Sequence, residues 1–170
     1  MSDCLWEKTP KNGEKMSEQG DAYVQRVKDL EQEFAKRISS SPEENRVLVT
    51  SERAVQYLND HYGLKEAFIW EIDTEENGSP KQIKELVNYI KNNDVPVLFV
   101  ESNVDTRPME AVSAESGVPI AETPIYSDEI GNPGDEIDTY VQYLEYNMKL
   151  IHDKLSKERW TNRLYQQKNG

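Results

Sequence analysis

The hydrophobic and polar positions alternate between two periods along this chain. Val27, Leu30, Phe34 and Ile38 recur at helical spacing with Tyr23 a turn earlier, while Lys28, Glu31, Lys36 and Arg37 take the opposite side. That is the stripe of an amphipathic helix, predicted over 21–40 and stopped at Ser39-Ser-Ser-Pro42. Short apolar runs then fall at 46–50, 67–72, 95–100 and 120–126, and each is followed by a helical pattern. Ser51 reads as the N-cap of the first such helix, with Ala54, Val55, Leu58 and Tyr62 facing inward and Gly63 closing it. Ser79, Pro80 and Gln82 spell a capping box with proline at the first helical position, ahead of Ile83, Leu86, Val87 and Ile90. A short helix opens at Pro108, carries Met109 and Val112, and ends at Gly117. The last and longest helix has Ile137, Tyr140, Val141, Leu144, Met148, Ile151 and Leu155 on one side.

Strands alternating with helices imply crossover connections and parallel pairing. The predicted class is α/β: a three-layer lobe with a four-stranded, mainly parallel sheet, preceded by a long helix. The expected organisation is a loose arm over 1–20, the helix over 21–40, the lobe over 45–157 and a tail over 158–170. Pro124 removes a ladder donor and puts the fourth segment at an edge. The 95–100 run lacks polar interruptions, as suits a strand covered on both faces, and it ends abruptly at Glu101. Ligands of open parallel sheets collect outside the carboxyl ends of the strands. On that rim the sequence places Glu71, Asp73, Glu101, Asp105 and Asp128.

Composition narrows the partners. The chain has 170 residues, 36% hydrophobic and 31% charged, with a formal net charge of −12. An acidic surface argues against nucleic acid, whose phosphates need Lys and Arg. One cysteine, Cys4, excludes an intrachain disulfide and a Cys-rich zinc module. No apolar run approaches the ~20 residues of a membrane span, and the first residues do not read as a signal peptide. The rim carboxylates suit hard cations such as Mn²⁺, Ca²⁺ or Mg²⁺. An acid–base pair, or simple solvation, remains open on spacing alone. No glycine-rich phosphate loop or nucleophile elbow is present, so an enzyme is not expected. His61 and His152 fall within helices, away from the rim.

Five motifs carry a resemblance: Leu48-Val-Thr-Ser-Glu52; Phe68-Ile-Trp-Glu-Ile-Asp-Thr-Glu-Glu76 with Gly78 and Pro80; Leu98-Phe-Val-Glu-Ser-Asn-Val-Asp105; Arg107-Pro-Met109; and Tyr126-Ser-Asp-Glu-Ile-Gly131. In this order they resemble the C-terminal lobe of the manganese/zinc-binding lipoproteins, the cluster A-I substrate-binding proteins of metal ABC transporters. The resemblance spans about residues 20–157 and makes helix 21–40 the end of the helix that joins two lobes. It implies that Glu101 and Asp128 are metal ligands, the carboxylate half of a set whose two histidines come from elsewhere in the family. A glutamate rather than histidine at position 101 implies Mn²⁺ or Fe²⁺ ahead of Zn²⁺. With half a ligand set the metal would be weakly held. The resemblance further implies an ABC permease as partner and a cell-surface or periplasmic location. Cys4, in Ser2-Asp-Cys-Leu-Trp6, stands where the family has a histidine; a substitute ligand and a coincidence are both open. The alternative function is a non-binding remnant acting only through protein contact.

Overall fold

A computed structural model describes residues 13–72 and 78–156 of the chain. Its elements are α1 (Gly13–Ser40), β1 (Val47–Glu52), α2 (Gln56–Tyr62), β2 (Lys65–Trp70), α3 (Pro80–Asn92), α4 (Arg107–Ser116) and α5 (Tyr140–Leu155). β1 and β2 pair in parallel from Val47 beside Lys65 to Glu52 beside Trp70. The third segment lies on the other side of β1: Phe99 N–H donates to the Val49 carbonyl at 2.8 Å. The fourth lies beyond it, through parallel bridges between Leu98 and Ile120 and between Glu101 and Ile125. The spatial order is therefore β2, β1, third, fourth, within an α/β architecture. Among the described residues, a regular ladder forms between β1 and β2 alone. Pro96, Pro119 and Pro124 lack the N–H a ladder needs, which leaves the outer pairing as isolated bridges.

Within 47–49 and 97–100, alternate residues go to opposite layers. Val47, Val49, Leu98 and Val100 pack with Leu86, Val87 and Ile90 of α3 and Met109 and Val112 of α4. Leu48, Val97 and Phe99 pack on the other face with Leu30, Phe34 and Ile38 of α1 and Met148, Ile151 and Leu155 of α5. This is the three-layer arrangement that uninterrupted apolar strands require.

Several boundaries differ from the sequence reading. The first helix starts at Gly13 rather than 21. Glu14, Lys15, Met16, Glu18 and Gln19 are good helix formers, and the cost of one internal glycine, Gly20, of about 1 kcal/mol does not stop propagation. Among the described residues, the apolar side chains that α1 gives to the core come from its C-terminal half. Leu30, Phe34 and Ile38 are buried, whereas Tyr23, expected on the same stripe, is 47% exposed. Ser51 is not an N-cap: β1 continues to Glu52, and α2 begins at Gln56 after Val55, which makes no side-chain cap bond. β2 runs over 65–70 and leaves Ile72 exposed. Tyr140 opens α5 half-exposed rather than facing the core. A second capping box, Thr139 with Gln142, starts α5; the Thr-x-x-Gln spacing was present in the sequence. The capping box at Ser79 and Gln82 and the αL ends at Gly63 and Gly117 form as expected.

Gly78 locks the start of α3 against α4. Its φ is +77°, and a Cβ there would stand 2.7 Å from Cγ of Pro108. Both the left-handed backbone and the contact penalise a side chain. Gly78→Ala is expected to lower stability by about 1–3 kcal/mol in urea unfolding.

Candidate metal centre

The chain departs from β1 in one direction to reach β2, and returns across β1 to reach the third segment. The sheet's switch point thus lies between β1 and the third segment, where a crevice opens at the carboxyl ends. Glu101 stands there. Its neighbour Phe99 pairs with Val49, so the same register sets Glu101 beside Ser51 and Glu52. Ser51 N–H donates to Oε2 at 3.2 Å and Glu52 N–H to Oε1 at 3.0 Å. The carboxyl is 1% exposed. Each oxygen thus accepts a backbone amide of the β1 end.

Burial pushes the Glu101 carboxyl above its ordinary 4.5, and the amides of Glu52 and Ser51, with the Ser51 hydroxyl beside it, pull in the opposite direction. The raised pKa fixes the sign of two effects. The metal-free fold binds this proton more tightly than the unfolded chain does. Its stabilising contribution is therefore present below 4.5 and is lost as pH rises through the folded value. A cation on this carboxylate must displace the same proton. If a divalent cation binds here, its affinity would weaken as pH falls from 7 through the raised Glu101 value, in titrations between pH 4.5 and 7. Affinity indifferent to pH would contradict Glu101 as the contact.

Asp128 is exposed on the loop after the fourth segment and lines an open depression with Glu52, Trp70, Asn103 and Asp105. Glu101 is not part of that lining, because it lies beneath the surface. Side-chain bonds tie the two strand ends together. Asn103 Nδ2 donates to Asp128 Oδ2 at 2.9 Å, and Ser102 Oγ donates to Glu129 Oε1 at 3.3 Å. Ser102 N–H also donates to the Ile125 carbonyl at 2.9 Å. The residues that follow Glu101 and those that flank Asp128 are therefore joined on one rim.

The other rim acids sort differently. Asp105 is gripped by Arg107, with Nε 2.8 Å from Oδ2 and the Arg107 amide 3.0 Å from Oδ1. The Arg107 side chain holds Asp105 down at about 2, so it remains ionised and committed to its partner at neutral pH. Glu71 faces Arg53 at 3.6 Å. Among the described residues, neither Glu101 nor Asp128 forms an ion pair with a cationic side chain. Asp73 and Cys4 lie outside the described residues. His61 bonds Glu31 at 3.1 Å and His152 bonds Asp153 at 3.2 Å, so neither serves the rim. Among the described residues, no group of three or more His, Cys, Asp and Glu side chains is placed to hold a metal ion. The amides of Ser51 and Glu52, and Asn103, had no signature in the sequence. A backbone donor is set by register and not by residue type.

A polar crevice at the switch point of a parallel α/β sheet is where such folds bind ligands, and the fold by itself does not name the ligand. The model of the family "ZnuA: Zinc-uptake complex component A periplasmic" matches residues 1–154, and the chain belongs to that family. The family is one of solute-binding proteins of ABC transporters, not of enzymes. The chain is 41% identical over 153 residues to the metal ABC transporter substrate-binding lipoprotein SsaB of Streptococcus sanguinis, covering 90% of this chain and 49% of that one. It is 39% identical to the manganese ABC transporter substrate-binding lipoprotein ScaA of Streptococcus gordonii, with the same 90% and 49% coverage. Among solved structures, the periplasmic zinc binding protein TroA from Treponema pallidum matches with a TM-score of 0.82 at 25% identity, over 92% of this chain and 58% of that one. The chain therefore spans about half the length of the relatives it matches. No helix among the described residues is long and apolar enough to cross a membrane.

Proposed function

We propose that this chain is the C-terminal lobe of a metal-delivering solute-binding protein, and that Glu101 and Asp128 offer a divalent cation two carboxylate groups. The observation that carries this reading is the contrast on the rim. Glu71 and Asp105 have arginine partners, whereas Glu101 and Asp128 have only neutral donors among the described residues. Uncompensated carboxylates beside a crevice are what a hard cation needs. Mn²⁺ is the favoured cargo, with Fe²⁺ or Zn²⁺ as alternatives, because two carboxylates form a harder donor set than imidazoles. The relative ScaA is likewise named for manganese. Two carboxylates leave much of the coordination shell to water, so the cation is held weakly. Transport then works by capture and hand-off to an ABC permease on the outer side of the membrane, without chemical turnover.

Calorimetric titration of the chain with Mn²⁺ tests this. The expected result is weak binding, on the order of 0.1–1 mM, that disappears when Glu101→Ala and Asp128→Ala are combined. Sub-micromolar binding that survives both substitutions would refute the site. A second reading, contact with another protein without metal, is supported by the exposed Tyr23 and Val24 on α1. Light scattering alongside the titration separates the two: a metal-indifferent oligomer favours the second.

A further inference from the structure

The backbone bridging that holds the fourth segment stops before Asp128. Its last bonds are Ile125 N–H to the Val100 carbonyl and Ser102 N–H to the Ile125 carbonyl, both 2.9 Å. Asp128 lies three residues further on, past the sheet and on the outer edge. The neighbour on that edge is a helix rather than a strand. α5 takes over the bonding with its side chains. Tyr146 Oη donates to the Pro124 carbonyl at 3.0 Å. Asn147 accepts from Tyr126 N–H at 3.0 Å and donates to the Tyr126 carbonyl at 2.8 Å. Tyr143 Oη donates to the Ser127 carbonyl at 3.0 Å.

Asn147 has a distinctive environment. It is 5% exposed, on a helix face otherwise built from Met148, Ile151 and Leu155. A buried amide is costly unless its donor and acceptor are both used. Here both are used, and both on one backbone residue, as a neighbouring strand would use its own N–H and C=O. Tyr143, one turn earlier at i−4, continues the contact to the residue adjoining Asp128. From this geometry we propose that Asn147, with Tyr143, is a positioning residue for Asp128: α5 acts as a side-chain splint in place of a missing edge strand. The reading of Asp128 as a metal contact enters only one arm of the test.

The Asn103 side-chain amide reports on Asp128 without metal, since it donates to Oδ2 at 2.9 Å. In proton–nitrogen spectra of the metal-free full chain, Asn147→Leu is expected to move the Asn103 side-chain signal to its position in Asp128→Ala. Backbone signals of β1 and β2 should stay in place. Tyr143→Phe, which removes a single hydroxyl and keeps the ring, is expected to move the signal part of the way along the same path. If Asn147→Leu does not fold, Tyr143→Phe decides. An Asn103 signal at its wild-type position in the folded variants, even with a lowered Tm, would reduce Asn147 to fold stability and overturn the proposal. In the metal arm, Asn147→Leu should weaken Mn²⁺ binding by about tenfold and add nothing in the Asp128→Ala background. Unchanged Mn²⁺ binding in Asp128→Ala would remove the metal reading, and the Asn103 signal would still decide the positioning role.

Discussion

Glu101→Ala is expected to lower the stability of the metal-free chain by about 1–3 kcal/mol and to weaken Mn²⁺ binding at least tenfold. The stability effect comes from the backbone. The carboxylate is the acceptor for Ser51 N–H and Glu52 N–H, and the site is nearly closed to water. Alanine orphans both donors, and each buried unsatisfied group costs about 1–3 kcal/mol. Relief of the carboxylate's own desolvation, the force that raises its pKa, offsets part of this. Glu101→Gln separates the two roles. It retains the volume and one acceptor oxygen, so its fold should be more stable than that of the alanine variant. It also lacks the charge, so its metal affinity should be as poor. Urea unfolding and Mn²⁺ calorimetry on the three proteins check both halves. An alanine variant that binds Mn²⁺ as wild type does would remove Glu101 from the site.

Phe34→Ala should cost more, about 3–5 kcal/mol. Phe34 is 1% exposed and meets the Tyr62 ring edge-to-face at 4.6 Å, which fixes α1 against α2 beneath the sheet. The cavity left behind would open in the cluster that Phe34 shares with Leu48, Phe99 and Ile151 of β1, the third segment and α5. Those elements are pinned by other contacts and have little freedom to collapse into it. Ten residues earlier on the same helix, Val24→Ser should change stability by no more than about 0.5 kcal/mol, because Val24 is half exposed. Comparable losses at positions 24 and 34 would mean that the whole of α1 packs on the lobe.

The layers of this fold were legible because hydrophobic period reports burial directly. The 95–100 run announced a doubly covered strand, and its parity then divided Val97 and Phe99 from Leu98 and Val100. Element ends were less legible. Ser51 has the chemistry of an N-cap, but the β-branched run before it kept the strand going, and its amide was needed by a residue 50 positions away. The arm expected over 1–20 is in part helix, because helix-forming neighbours carry α1 through Gly20. The rim acids were visible as residues but not as individuals. Asp105 could have been set aside from its spacing to Arg107, whereas the Arg53–Glu71 pair depends on strand pairing. Asn147 was hidden for the same reason: a lone polar residue on an apolar stripe shows its use only once the facing backbone is known.

The most direct measurement is site-resolved. Mn²⁺ broadens nuclear signals in its immediate surroundings, so adding it in trace amounts to the labelled chain maps where the cation sits. The expected result is selective loss of signals from 101–103 and 127–129, with the Ser51 and Glu52 amides, and full recovery of those signals in the Glu101→Ala, Asp128→Ala double variant. Broadening centred elsewhere on the acidic surface, or unchanged in the double variant, would contradict a cation site on this rim.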